Sequence, residues 1–213
     1  MEVFETRVDA GRRLSALLEL VRGDRPIVLG IPRGGVPVAA EIARALRAPL
    51  DVLVVRKLGV PGSAEFGFGA IGEGGVRVID ADVVARIGLD PATIERVTQG
   101  EREELERRVA LYRPGRPTLD LSGRTTVIVD DGVAMGGTML AAIGVARALG
   151  AERILVAVGV APRDSVDRLR AAADEALVAL SPQAFSSVGQ WYRNFSQVPD
   201  DEVLRLLGQP PVP

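Results

Sequence analysis

Asp130 and Asp131 stand side by side at the end of the apolar run Val127-Ile128-Val129. The stretch Gly132-Val133-Ala134-Met135-Gly136-Gly137-Thr138 separates them from a second apolar run, Met139 to Ile143. Carboxylates accept hydrogen bonds from hydroxyls or ligate a hard cation such as Mg2+. A glycine-bearing loop that opens a helix offers unpaired N–H groups and the positive helix end, both of which favour phosphate. A sugar phosphate satisfies the two halves at once. Asp and Gly are also ordinary turn formers, but a buried strand, a loop and a helix start in this order are the context a phosphate site requires.

Three further stretches carry candidate chemistry. Pro32-Arg33-Gly34-Gly35-Val36-Pro37 follows an apolar run and joins a forked cation to glycines over which a ligand can approach the backbone. Arg56-Lys57 follows another apolar run and supplies two positive charges. Phe185 to Phe195 contains the single Trp of the chain, Trp191, next to Tyr192; this segment either docks on the core or offers ring faces on which a planar base stacks. Gly67, Gly69 and Gly72 match the G-x-G-x-x-G spacing of dinucleotide sites. No buried strand precedes them and no helix follows, so a nicotinamide oxidoreductase rests on spacing alone.

Composition removes several classes. With no cysteine and no histidine, disulfides, thiolate catalysis, His-ligated zinc and Ser-His-Asp hydrolysis are excluded. A net charge of −2 argues against a nucleic-acid partner held through phosphate contacts. The first residues form no apolar signal region and no apolar run spans a bilayer, which points to a cytoplasmic protein with no membrane partner. At 213 residues one domain covering 1–213 is expected.

The elements that must position these groups read as alternating strands and helices. Asp9 is expected to cap a helix to about Val21, with Leu14, Leu17, Leu18 and Val21 on one stripe. Strands are expected at 26–31, 50–55, 76–79, 125–130, 153–160 and 176–180, with helices at 34–46, 136–149 and 163–172. Asp90-Pro91 supplies an N-cap and a first-turn proline for a helix to about Tyr112, with Gly100 a point where it could bend. The glycine-dense stretch from Lys57 to Gly75 is expected to lack regular structure. Continuously apolar strands between helices indicate an α/β fold with a mostly parallel sheet, whose ligands bind beyond the carboxyl ends of the strands.

The segment from Asp130 to Thr138 resembles the phosphoribosyl-pyrophosphate loop of the type I phosphoribosyltransferases. Pro32 to Pro37, Arg56 to Gly59 and Val188 to Tyr192 resemble a less characterised branch of that family. The resemblance implies a central, mostly parallel sheet flanked by helices, a helical insertion at about 80–116 and a small hood at about 181–213. It implies phosphoribosyl pyrophosphate, Mg2+ and a nitrogenous base as partners, with release of pyrophosphate. Asp130 and Asp131 would hold the ribose hydroxyls, with Mg2+ nearby, directly or through water. Gly132, Val133, Ala134, Met135, Gly136, Gly137 and Thr138 would cradle the 5-phosphate. Arg33, Gly34, Gly35, Arg56 and Lys57 would bind pyrophosphate, with Arg56, Lys57 and Asp131 catalytic. Residues 58–75 would be a closing flap, and Trp191 and Tyr192 base-stacking residues. Ala134 stands where the hypoxanthine-guanine enzymes carry an Asp, which disfavours a 6-oxopurine acceptor. Met135 replaces the usual Thr, whose hydroxyl donates to the 5-phosphate. The rival reading is a protein of the same fold that senses the ligand without turnover. A homodimer is compatible with the sequence, which does not fix the oligomer.

Overall fold

The structure, a computed structural model, describes residues 2–208; the end of the expected hood, 209–213, lies outside them. Five strands form the main sheet: β1 (Ile27–Gly30), β2 (Leu50–Val52), β6 (Thr125–Gly132), β7 (Arg153–Val160) and β8 (Glu175–Leu180). Their order is β2-β1-β6-β7-β8, and every neighbouring pair is parallel. The strands read as unbroken apolar runs because both faces are covered. On one face Val28, Val127, Val129 and Leu155 pack under α1 (Arg7–Leu17) and α2 (Gly35–Leu46). On the other, Leu29, Ile128 and Val156 pack under α5 (Gly137–Ala148) and α6 (Arg163–Ala172). β6 is central, so its carboxyl end lies in the middle of the sheet edge.

A second sheet departs from expectation. β3 (Val55–Val60), β4 (Ser63–Gly72) and β5 (Arg77–Ile79) form an antiparallel three-stranded sheet packed against α5. The expected strand at 50–55 divides between the two sheets, with buried Leu53 and Val54 at the turning point. Residues 57–72 are regular despite their glycines. Leu58 on β3 and Phe68 and Ala70 on β4 are buried, and cross-strand pairing overrides the weak propensity. The G-x-G-x-x-G spacing lies inside β4, which removes the dinucleotide reading.

The insertion contains α3 (Ala81–Ile87) and α4 (Pro91–Tyr112). Asp90 caps α4 through the Thr93 amide as expected, and exposed Gly100 neither breaks nor shortens it. α3 was not anticipated, although Asp80 caps its Val83 amide and Gly88 ends it at φ +68°. α1 begins one turn earlier than expected: Thr6, not Asp9, accepts the capping bond from the Asp9 amide. The helix gives way to a 3-10 turn, Glu19–Asp24, and Leu17 faces solvent while Leu14, Leu18 and Val21 are buried. After β8 the chain makes a 3-10 turn, Val188–Trp191, pairs residue 192 with residue 4, and ends with α7 (Asp200–Leu206) near α2. Among the described residues, no helix is long and apolar enough to cross a membrane.

Candidate active site

The carboxyl end of β6 brings Asp130 and Asp131 to the point where the β1–α2 and β6–α5 loops meet. Asp130 Oδ1 accepts from the Asp131 amide at 2.9 Å. Burial raises the Asp130 carboxyl well above its ordinary range, and the neighbouring Asp131 charge adds to the rise. Burial raises Asp131 too, against the opposing pull of Arg7, whose Nε donates to Asp131 Oδ2 at 2.7 Å. The unfolded chain ionises Asp130 at the ordinary carboxylate pKa, and the folded chain only at higher pH. The folded state is therefore favoured below about 3.8, and that contribution is lost as pH rises. Asp130→Asn, which keeps the acceptor for the Asp131 amide, is expected to melt above the wild type at neutral pH. Each ~1 kcal/mol of relief adds about 2–4 °C at this chain length. Calorimetry at neutral pH and near the ordinary carboxylate pKa checks this; an advantage that persists in acid would contradict it.

The loop after the acid pair is held from both sides. The Val133 amide donates to the Val160 carbonyl at 2.9 Å, and the Ser165 hydroxyl donates to the Ala134 carbonyl at 2.6 Å. Gly136 sits at φ +83°, a left-handed conformation that turns the chain into α5. The first amides of α5 have no acceptor within the helix and point at the loop mouth. Ala134, Met135 and Thr138 are exposed there.

The other candidate groups converge on the same edge. A side chain at Gly34 would overlap the Asp131 carboxylate, and one at Gly35 would overlap the Val129 carbonyl, so this loop abuts the acid pair. The Pro32–Arg33 peptide is cis. Arg33 Nη1 lies 3.7 Å from Asp200 Oδ1 on α7, and the Tyr112 hydroxyl donates to the same oxygen at 2.5 Å. Arg56 and Lys57 are on β3, not at the end of a main-sheet strand as expected. Arg56 Nη2 is 2.6 Å from Glu101 Oε2 on α4. Lys57 runs toward Gly137: a Cβ built there would lie 3.4 Å from its Nζ. The amine therefore reaches the start of α5, the expected 5-phosphate end. A cleft of about 550 Å3 is lined by Ile31, Pro32, Arg56, Lys57, Arg108 and Thr138 among others. It joins the two loops and holds three cations.

One expectation is corrected. Trp191 and Tyr192 are buried, and the Tyr192 ring sits between Phe4 and Phe195 at centroid distances of 5.0 and 5.1 Å. Their faces are used within the core, so they offer no stacking platform; the Tyr192 hydroxyl instead donates to the Asp131 carbonyl at 2.5 Å. In the acid pair, Asp131 Oδ2 is engaged by Arg7. Arg7, Ser165 and Arg108 were missed as site residues. Nothing in the local pattern around any of the three marks it as a partner of residues far along the chain.

Residues 5–185 match the family model of the phosphoribosyl transferase domain. The chain belongs to the phosphoribosyl transferase family. A Mycobacterium tuberculosis protein, provisionally named a phosphoribosyl transferase in two strains, is 52% identical over 207 residues. That alignment covers 97% of this chain and 47% of the relative, so the chain spans about half the length of the curated relatives it matches. The crystal structure of a Thermus thermophilus protein is 42% identical, with a TM-score of 0.90 over 97% of this chain and 98% of that one. Over 62 residues, 28% of this chain, there is 42% identity to the ribose-phosphate pyrophosphokinase of Pyrococcus furiosus.

Proposed function

We propose that this phosphoribosyl transferase family member binds phosphoribosyl pyrophosphate and transfers its phosphoribosyl group to a nitrogenous base. The observation that carries the reading is the contiguity of an acid pair, a helix-opening loop and a cleft lined by Arg56, Lys57 and Arg108 at one sheet edge. The stretch shared with a ribose-phosphate pyrophosphokinase supports a ribose phosphate ligand. Asp130 and Asp131 accept from the ribose hydroxyls, and residues 132–138 with the start of α5 hold the 5-phosphate. Arg33, Gly34, Gly35, Arg56 and Lys57 meet the pyrophosphate; Lys57, whose amine reaches toward Gly137, meets the 5-phosphate too. A nitrogen of the base forms a bond to C1 as the C1–oxygen bond breaks. Pyrophosphate leaves with the electron pair, and the proton on the nitrogen passes to solvent. Positioning and charge neutralisation supply the rate, as befits a site without histidine.

The resemblance also implies Mg2+. Among the described residues no group of three or more acidic side chains is placed to hold a metal. The residues fit a cation carried on the substrate's phosphates and water, where it would neutralise the leaving pyrophosphate. Pyrophosphate release measured across a panel of nucleobases, with a no-base control, tests the proposal: release that depends on one class of base supports it. Tight binding with no base-dependent release would favour the second reading, a ligand sensor of the same fold, for which the Arg56–Glu101 pairing speaks.

Met135 bears on affinity. The residue is 58% exposed, so replacing its side chain leaves little packing to lose. Met135→Thr adds a hydroxyl at the loop mouth. A hydrogen bond to a charged group contributes about 1.5–3 kcal/mol, on the order of tenfold or more in Kd. The 5-phosphate is remote from C1, so kcat is expected to change less than affinity. Calorimetric titration of phosphoribosyl pyrophosphate into both proteins checks this, and unchanged or weaker binding would contradict it.

A further inference from the structure

Arg7 is the first residue of α1, a position where a cation is disfavoured because the helix end is itself positive. Its place is explained by what it touches. Nε donates to Asp131 Oδ2 at 2.7 Å, Nη1 donates to the Ser196 carbonyl at 2.8 Å, and the guanidinium carbon lies 4.0 Å from the Phe195 ring centroid. Arg7 and Asp131 are each 11% exposed at the side chain. The surrounding scaffold is also tied down: the Phe4 amide donates to the Trp191 carbonyl and the Arg193 amide to the Phe4 carbonyl, both at 2.8 Å. Arg7 is thus held by the C-terminal segment and aimed at the acid pair.

We propose that Arg7 is a positioning residue that neutralises and orients Asp131, so that ribose is recognised at the acid pair without a metal ion. The inference rests on the reading of the acid pair as the ribose site. A guanidinium fork fixes a carboxylate in direction as well as charge. Arg7 holds Asp131 Oδ2, the Asp131 amide holds Asp130 Oδ1, and the two carboxyls touch each other; the pair is a fixed set of acceptors, which suits two neighbouring hydroxyls. A Mg2+ bound to Asp131 would have to sit within about 2.0–2.1 Å of a carboxylate oxygen in octahedral geometry, against the guanidinium charge. Any metal requirement therefore belongs to the pyrophosphate half of the ligand.

Calorimetric titration of ribose 5-phosphate, in Mg2+ and again in chelator, separates the outcomes. The wild type is expected to bind equally under both conditions. Arg7→Met is expected to bind on the order of tenfold more weakly in chelator, the loss of one charge-assisted contact, and to recover in Mg2+. A purely structural role would not create that metal dependence. Arg7→Lys, which keeps the charge, is expected to stay metal-independent. Wild-type binding that requires Mg2+, or Arg7→Met binding as tightly as the wild type in chelator, would overturn the proposal. Should Arg7→Met fail to fold, the wild-type and Arg7→Lys titrations decide. Absence of ribose 5-phosphate binding by the wild type under either condition would instead overturn the functional reading, and the inference with it.

Discussion

Asp131→Asn is expected to lose about tenfold to a hundredfold in affinity for ribose 5-phosphate, since hydrogen bonds to a charged acceptor contribute about 1.5–3 kcal/mol. The substitution keeps the size of the side chain and removes its charge, which also leaves the largely buried guanidinium of Arg7 without its carboxylate. The backbone carbonyl that receives the Tyr192 hydroxyl is untouched, so the fold is expected to persist. Lys57→Ala supplies the contrast. From the sequence, Lys57 is expected at the pyrophosphate alone; its amine lies close to Gly137, the proposed 5-phosphate end. Ribose 5-phosphate is therefore expected to weaken in both variants, and phosphoribosyl pyrophosphate to weaken further in Lys57→Ala. Calorimetric titration of both ligands reads this directly, and unchanged ribose 5-phosphate affinity in Asp131→Asn would remove the acid pair from the site.

The largest effect on stability is expected at Arg113, which is not one of the candidate site residues. Its Nη1 meets Glu73 Oε1 at 2.6 Å, with side chains 4% and 3% exposed, and its Nε lies 3.3 Å from Asp51 Oδ1. Glu73 Oε1 also accepts from the Leu119 amide, and Arg113 Nη2 donates to the Pro117 carbonyl at 2.9 Å. The cluster ties β2, the turn after β4 and the end of α4 together. Arg113→Met removes the cation and leaves the buried Glu73 carboxylate without one, while Asp51 keeps Arg116 at 3.0 Å. Breaking one side of a buried ion pair costs about 3–5 kcal/mol, which at this size lowers the melting temperature by roughly 6–20 °C. Adding Glu73→Gln to Arg113→Met is expected to recover part of the loss, because the uncompensated charge goes with it. A single variant within a degree or two of the wild type would show that the pair is not stabilising.

Most of the main sheet was legible because a parallel strand covered on both faces must be apolar throughout; 125–130, 153–160 and 176–180 show such runs. α4 was legible from Asp90-Pro91, a signal local to the chain. The strand, loop and helix around the acid pair were legible because they are contiguous in the chain. What escaped depends on residues that meet only after folding. Arg7 and Asp131 are 124 positions apart, and Ser165 reaches Ala134 from another helix. The glycines of β3 and β4 read as irregular because propensity is local while cross-strand pairing is not. Trp191 and Tyr192 suggested a ring platform by composition alone; Phe4, from the opposite end of the chain, covers Tyr192.

The most direct measurement of the central claim is the melting temperature with phosphoribosyl pyrophosphate and, separately, with NAD, each in the presence of Mg2+. A ligand at a hundred times its Kd that binds only the folded chain adds about 2.7 kcal/mol, worth roughly 5–10 °C here. The account predicts that shift for phosphoribosyl pyrophosphate and none for NAD. No shift with phosphoribosyl pyrophosphate, or a shift with NAD in its place, would contradict it.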